Sequence, residues 1–453
     1  MKRIYLFRRK LFLSIVCLMA CYTALHAQID WTQYSGNPVL NLGPASSWDA
    51  GTVFEHFVIK SGDTLKMWYS GNDASQIFEN DFGIGYAWSL DGINWTRHAS
   101  NPVMVGRTGK WDNIGVAAPA IVQDGDTLRM WYHAVTVAGA APGKLIGYAT
   151  SIDGVNWTRL DAPVLEAGAS GEWDADILIA HAVVKDGDTY KMWYSGGTGA
   201  PPNVNFRIGY ATSPDGVNWT KYDDPATTAS PFQFSDPVIE RGSSGSFDDG
   251  RAFTPHVLKT VSGYEMWYTG AGSANEFNQV IMYATSTDGI NWTKHAGNPV
   301  LQVSKSWTQD ITTPRVIRDG EQFRMWFNGF EPNFPFPARL GYATAPLTTS
   351  VDEKDRQTGI PFDFVLHQNY PNPFNPATKI RYEVSNPTRV VLKIMNLLGQ
   401  EVRTLVNEEK LAGFYEVQWD GKDRNGQRVA SGVYLYRLEA QALVQTRKMV
   451  LLQ

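Results

Sequence analysis

Nine side chains carry the chemistry this sequence can offer: Glu55, Asp176 and Asp310 as catalytic carboxyl groups, and His56, His181, Asp249, Arg251, His256 and Arg315 as polar groups that could hold a substrate. A carboxylic acid kept protonated opposite an ionised carboxylate is the minimum for ordinary cleavage of a glycosidic bond. One acid with a cluster of Arg and His would instead suit cleavage by phosphate, with Arg251, Arg315 and His256 binding the anion. The same groups used only as hydrogen-bond partners, with Phe330, Phe334 or Phe336 as a stacking surface, would make a sugar-binding site without turnover. The two cysteines, Cys17 and Cys21, both fall in the first 27 residues, so a cysteine nucleophile, a Cys zinc site and a disulfide framework are excluded from a mature chain. The acidic run 73–81 could bind calcium, but its spacing fits no ligand motif and solvated charge is the simpler reading. No cofactor is expected.

These residues stand out because they depart from a repeat. Met-Trp-Tyr or its variant recurs at Trp68, Trp131, Trp193, Trp267 and Trp326. A Tyr-Ala pair follows each, at Tyr86, Tyr148, Tyr210, Tyr283 and Tyr342. After the first four comes Asp-Gly-x-Asn-Trp-Thr, starting at Asp91, Asp153, Asp215 and Asp288. Each copy reads as four strands of alternating polarity joined by Gly-containing turns; in the third they cover 180–184, 190–195, 207–212 and 219–222. Four short antiparallel strands per copy is the pattern of a propeller blade. The fifth copy lacks its last strand, and the start of the mature chain supplies Trp31-Thr32 followed by Gly36-Asn37-Pro38-Val39-Leu40, which matches the end of other copies. The expected fold class is therefore all-β, a five-bladed β-propeller closed by its N-terminal strand and followed by a small immunoglobulin-like β-sandwich. With 16 Trp and 41 Gly in 453 residues, a mainly helical chain is already disfavoured.

Residues that obey the repeat are read as structural. Met-Trp-Tyr is packing between blades, and Asp-Gly-x-Asn-Trp is a turn clamp whose Asn-x-Thr sequons are not glycan acceptors. The acids at Asp49, Asp112, Asp174 and Asp248 recur in four copies and are read as loop bonds. The turns joining strands one to two and three to four lie on one uniform face, while the loops joining strands two to three vary, which places function on the opposite face.

The Met-Trp-Tyr-x-Gly, Ile-Gly-Tyr-Ala-x-Ser and Asp-Gly-x-Asn-Trp phrases resemble the five-bladed arabinanase, levansucrase and invertase superfamily (glycoside hydrolase family 43/32-like), together with the mannoside phosphorylase family of the same fold, over residues 29–346. The 89–95 string also resembles the Asp-box of sialidases with one residue missing. The first resemblance implies three acids at the central ends of the innermost strands. The position just before the Pro or His that opens each strand reads Glu55, Ala118, Ala180, Thr254 and Thr313, so one copy alone has an acid there. Glu55 is the acid expected to protonate a leaving group, with Asp176 or Asp310 as base.

The two ends of the chain read as addresses. Residues 1–27 combine a cationic start, an apolar run and Ala27, the pattern of a secretion signal. Losing that segment, with five Lys or Arg and no acid, takes the net charge from −5 to −10, which argues against a nucleic-acid partner. The expected domains are a signal peptide 1–27, a propeller 28–346, a linker 347–359 and a C-terminal module 360–453. That module opens with Asn369-Tyr370-Pro371-Asn372-Pro373-Phe374-Asn375-Pro376 and resembles the sorting domain of the type IX secretion system of Bacteroidetes-like bacteria. The resemblance implies a secreted or outer-surface protein whose partners are a glycan and the type IX machinery, with no transmembrane segment in the mature chain; a monomer is expected.

Overall fold

The computed structural model describes residues 29–73, 82–135, 144–199, 204–303, 307–320, 322–331, 337–347, 364–384, 387–440 and 443–452. The presumed signal, most of the linker, and Phe334 and Phe336 lie outside them. All regular structure among the described residues is β, in antiparallel sheets.

Five sheets occupy residues 32–346. Sheet 1 runs through Thr52–Ser61, Thr64–Asn72, Gly83–Ser89 and Thr96–Arg97. The first strands of sheets 2 to 5 are Gly115–Asp124, Ile177–Asp186, Arg251–Thr260 and Asp310–Asp319. Each of these first strands lies against the first strand of the next sheet, and the fifth lies against the first, so the contacts run in a cycle. Sheet 5 takes its fourth strand from the start of the chain: Thr32 pairs with Thr344 and Gln33 with Ala343. Asn37 adds two bonds to the same edge, donating from Nδ2 to Tyr342 O at 3.0 Å and accepting from Tyr342 N at 2.8 Å.

The repeat supplies the joints between sheets. Trp68 Nε1 donates to Gly154 O in sheet 2, Trp131 to Gly216 in sheet 3, Trp193 to Gly289 in sheet 4, and Trp326 of sheet 5 to Gly92 of sheet 1, all at 2.7–2.8 Å. The acceptors are the glycines of the Asp-Gly turns. At Gly154 two demands coincide, since φ is +81° and an added Cβ would come within 2.6 Å of Trp68. The turns are held from within. Asp91 Oδ1 accepts from Ile93 N and Asn94 N, and Asn94 Nδ2 donates to Asp91 Oδ2 at 2.7 Å, so the sequon amide is spent on the turn. The fifth copy lacks the Asp-Gly-x-Asn-Trp sequence, and Trp267 Nε1 makes no hydrogen bond among the described residues.

The recurring acids are bonds of the same kind. Asp112 is fully buried, accepts from Tyr132 OH at 2.9 Å and pairs with Arg107 and Arg159. Asp49 pairs with Tyr69 and Arg97, Asp174 with Tyr194 and Lys221, and Asp248 with Tyr268 and Lys294. Sheet 5 carries Thr308, Phe327 and Gln33 at the three corresponding places. Acid, phenol and cation are replaced together there, as expected of a unit whose parts are costly to bury singly.

Residues 364–452 form two further sheets around a separate core. One contains Thr378–Val384 and Gly413–Trp419, the other Thr388–Met395 and Gly432–Ala440. Their burial alternates with period two, and Phe374, Trp419, Tyr436 and Leu451 fill the space between them.

Candidate active site

The candidate site forms where the five first strands meet, because each of them loses register there. Pairing with the second strand skips between Phe54 and Phe57, Ala117 and Ala120, Ala180 and Ala182, Phe253 and His256, and Thr312 and Arg315. Four bulges hold a non-glycine residue at positive φ: Glu55 (42°), Ala118 (49°), Thr254 (49°) and Thr313 (54°). Such a conformation costs on the order of 1 kcal/mol per residue and persists only where surrounding bonds fix it. A bulge also frees backbone N–H and C=O groups from the ladder, and these must be satisfied another way.

The N–H groups are satisfied by the preceding sheet. Ser70 Oγ accepts from Ala118 N at 2.9 Å, Ser195 Oγ from Thr254 N at 2.8 Å, Thr269 Oγ1 from Thr313 N at 3.1 Å, and Asn328 Oδ1 from Glu55 N at 2.9 Å. In the remaining case His133 Nδ1 donates to Leu178 O at 3.2 Å. All five donors or acceptors occupy the residue directly after Met-Trp-Tyr/Phe. Sequence reasoning passed over this position because its residue type varies; its signal is that it is always a hydrogen-bonding side chain.

The carbonyl groups are gathered by Arg315. Its Nε donates to His56 O at 2.8 Å, and Nη1 donates to Pro314 O at 2.9 Å and Pro255 O at 3.3 Å. These three acceptors follow the bulge residues of sheets 1, 5 and 4. Arg315, a candidate anion-binding group by sequence, is 1% exposed with its guanidinium 5.5 Å from the Phe57 ring centre. Burial pulls it down to about 9, opposed by the charge of Glu55, and it stays protonated at neutral pH.

The histidines share this enclosed setting. Burial, reinforced by Arg315, holds His56 and His256 down to about 3. Burial holds His181 down to about 4 against the opposing pull of Glu55. All three are therefore neutral at physiological pH. His256 donates from Nε2 to Val316 O at 2.8 Å, and His56 Nδ1 lies 3.3 Å from Asn328 Oδ1. His181 Nε2 lies 3.8 Å from Glu55 Oε1, and His133, which the sequence reading did not select, also senses the charge of Glu55. Glu55 thus stands among His181, His133 and Arg315, with its side chain 16% exposed.

The other candidates lie elsewhere on the sheets. Asp310, at the start of the fifth first strand, is buried and accepts from Gln279 N at 2.9 Å; burial pushes its carboxyl up to about 6. Asp176 is 39% exposed, accepts from Gly199 N at 2.9 Å and pairs with Lys144 at 3.6 Å. Asp249 accepts from Gly245 N and Ser273 N, which hold its carboxyl below the usual range and make it a loop clasp. Arg251 opens the fourth first strand, half-buried. Phe330 closes the second strand of sheet 5. Of the acidic run 73–81 Asp73 alone is described; among the described residues no group of three or more His, Cys, Asp and Glu could hold a metal ion.

Sheets of this form, in a cycle around a polar centre, have the arrangement of a β-propeller. Residues 375–443 match the family model of the FlgD Ig-like domain. The chain is 30% identical over 279 residues to an uncharacterized protein of Mycobacterium tuberculosis, covering 58% of this chain and 84% of that one. It is 31% identical over 265 residues to the 1,2-β-oligomannan phosphorylase of a Thermoanaerobacter species, covering 50% of this chain and 88% of the relative. A solved structure from the GH130 family of mannoside phosphorylases, described as containing glycoside hydrolases that target β-1,2-mannosidic linkages in Candida mannan, superposes with a TM-score of 0.55 at 17% identity, covering 70% of this chain and 94% of that one. The chain belongs to the family of the 1,2-β-oligomannan phosphorylase.

Proposed function

We propose that this chain is a secreted or surface-attached protein that cleaves glycans, β-1,2-linked mannosides first among them, at the centre of a five-bladed propeller completed by its N-terminal strand. The observation that carries the reading is the placement of Glu55: a carboxylate on a strained bulge, 3.8 Å from His181 Nε2, where five strands meet. The bulge recurs in three other sheets at Ala118, Thr254 and Thr313, but in sheet 1 it carries a carboxylate, set among His181, His133 and Arg315. The linkage comes from the names of two relatives, the 1,2-β-oligomannan phosphorylase and a β-1,2-mannobiose phosphorylase of the same genus. Asp310 is the second carboxyl group. Burial pushes it up to about 6, which favours keeping a proton on this carboxyl group.

Cleavage by phosphate is the second reading, favoured by the names of those relatives and by the need for one protein acid only when phosphate is the nucleophile. Arg315 commits Nε and Nη1 to three backbone carbonyls, while its buried Nη2 makes no hydrogen bond among the described residues and remains a donor for an anion. The C-terminal module, with the boundaries 347–359 for the linker and 360–453 for the domain, is read as a type IX sorting domain, supported by its Ig-like family match and its Pro-rich opening.

The test is turnover of β-1,2-mannobiose and of mannan with and without phosphate, in the parent, Glu55→Gln and Asp310→Asn. Hydrolysis is expected without phosphate and is expected to fall at least 100-fold in each variant, with sugar affinity largely kept. Turnover only with phosphate selects the second reading. Binding without turnover in the parent would leave a sugar-binding propeller and end the catalytic proposal.

A further inference from the structure

The bonds around His181 specify which of its nitrogens carries the proton. The backbone N–H of Thr254 has Ser195 Oγ as its acceptor, at 2.8 Å, because the bulge has removed its ladder partner. The Ser195 hydroxyl hydrogen needs an acceptor in turn, and among the described contacts of that oxygen His181 Nδ1 at 2.9 Å is the group able to accept. With Nδ1 accepting, a neutral imidazole carries its hydrogen on Nε2, the atom that faces Glu55. Ser195 and His181 are both buried, so water does not compete for the hydroxyl hydrogen from bulk.

We propose that Ser195 is a positioning residue that locks His181 in the Nε2–H tautomer, presenting a fixed neutral donor to Glu55. The chain of bonds runs from the bulge of sheet 4 through the second and first strands of sheet 3, and His181 Nε2, which makes no hydrogen bond among the described residues, then lies 3.8 Å from Glu55 Oε1 on the bulge of sheet 1. The corresponding serine of sheet 1, Ser70, also accepts from a bulge N–H, but its hydroxyl points to the backbone carbonyl of Glu55 at 3.4 Å. One serine position thus contacts the backbone of Glu55 and the other reaches its side chain through His181. His133 is set the opposite way, since its Nδ1 donates to Leu178 O and leaves Nε2 as a lone pair. The charged and titratable groups around the carboxylate are then Arg315, a donor imidazole at His181 and an acceptor imidazole at His133. A donor fixed in place costs no reorganisation when charge on Glu55 changes during a reaction.

The consequence for turnover rests on the reading of Glu55 as the carboxylate that meets the sugar; the tautomer does not. The full chain labelled with 15N-histidine, with His181→Gln to assign the signal, is expected to show at pH 7 a protonated Nε2 and an unprotonated Nδ1 for His181. Ser195→Ala is expected to lose that state, and Ser195→Thr, which keeps the hydroxyl, to retain it. In the cleavage assay Ser195→Ala is expected to lower kcat about tenfold with KM within about twofold, and Ser195→Thr to recover most of the loss. An Nδ1–H or doubly protonated His181 in the parent at pH 7 overturns the proposal, and so does a Ser195→Ala variant that retains both tautomer and kcat. If the parent cleaves nothing, the reading of Glu55 fails, and the tautomer still stands or falls on the nitrogen signals.

Discussion

Asn328 Oδ1 accepts a hydrogen bond from the backbone N–H of Glu55 at 2.9 Å, across 273 positions of sequence. The same amide donates from Nδ2 to Val53 O at 3.1 Å and lies beside His56 Nδ1. It joins the last sheet to the first and fixes the backbone of the residue on which the chemistry is proposed to depend.

Closure can be tested at the opposite edge of sheet 5. Deleting residues 28–41 removes the pairing of Thr32 and Gln33 and the bonds between Asn37 and Tyr342. Because Trp326 of that sheet is bonded into sheet 1, the loss should spread through all five sheets. The expected outcome is a single, lower melting transition for the propeller region, followed by tryptophan fluorescence. A truncated protein that melts like the parent would rule out closure by this strand.

The buried Asp112 unit gives a graded prediction. Asp112→Ala leaves the guanidinium groups of Arg107 and Arg159 without their shared acceptor and is expected to cost about 3–5 kcal/mol. Tyr132→Phe removes one hydrogen bond while both cations remain, and is expected to cost about 1 kcal/mol. Sheet 5 carries Thr308, Phe327 and Gln33 at the three places, so Asp112→Thr with Tyr132→Phe and Arg159→Gln should be less damaging than Asp112→Ala. Denaturant titration of the three variants is the measurement.

Acid should weaken the propeller from below neutrality. His56, His181 and His256 are held at about 3, 4 and 3 in the fold, below the ordinary value near 6.5, so as pH falls the unfolded chain takes up protons first. Stability is therefore complete above about pH 7 and drops from 6.5 to about 4 for His181 and to about 3 for His56 and His256, by up to about 1.4 kcal/mol per pH unit for each histidine. Asp310 works the other way: its folded value of about 6 lies above the ordinary one, so between pH 6 and 4 the fold binds its proton first and offsets part of the loss. Urea midpoints from pH 7.5 to 4.5 should show the decline, with a shallower slope in His256→Gln. Equal slopes in the two proteins would show that His256 is not held neutral.

Removing residues 360–453 should leave the propeller folded, since residues 364–452 enclose a core of their own. In a host with type IX secretion the truncated chain is expected to stay in the periplasm while the full chain reaches the surface, as read by fractionation and surface labelling. Surface delivery of the truncated chain would refute the sorting role.

Much of this protein is legible in its sequence because a repeat states the same local physics several times. Alternating polarity and Gly-containing turns specify strands, the recurring Trp and Asp-Gly specify joints between neighbouring copies, and each recurring buried Asp meets a Tyr 20 positions on in its own copy. The weak point of the fifth copy was legible as well: Thr308, Phe327 and Gln33 change together. The nine candidate residues were found as departures from that repeat, but their grouping was not. Whether Arg315 faces solvent or three carbonyls, and whether Glu55 meets His181 or Asp310, depends on bulges that turn individual strands by one or two residues and on which sheet lies beside which. Those contacts span up to 273 positions, and no local pattern encodes them. Burial then made the second decision, moving His181, Asp310 and Arg315 away from the protonation behaviour their residue types alone would give.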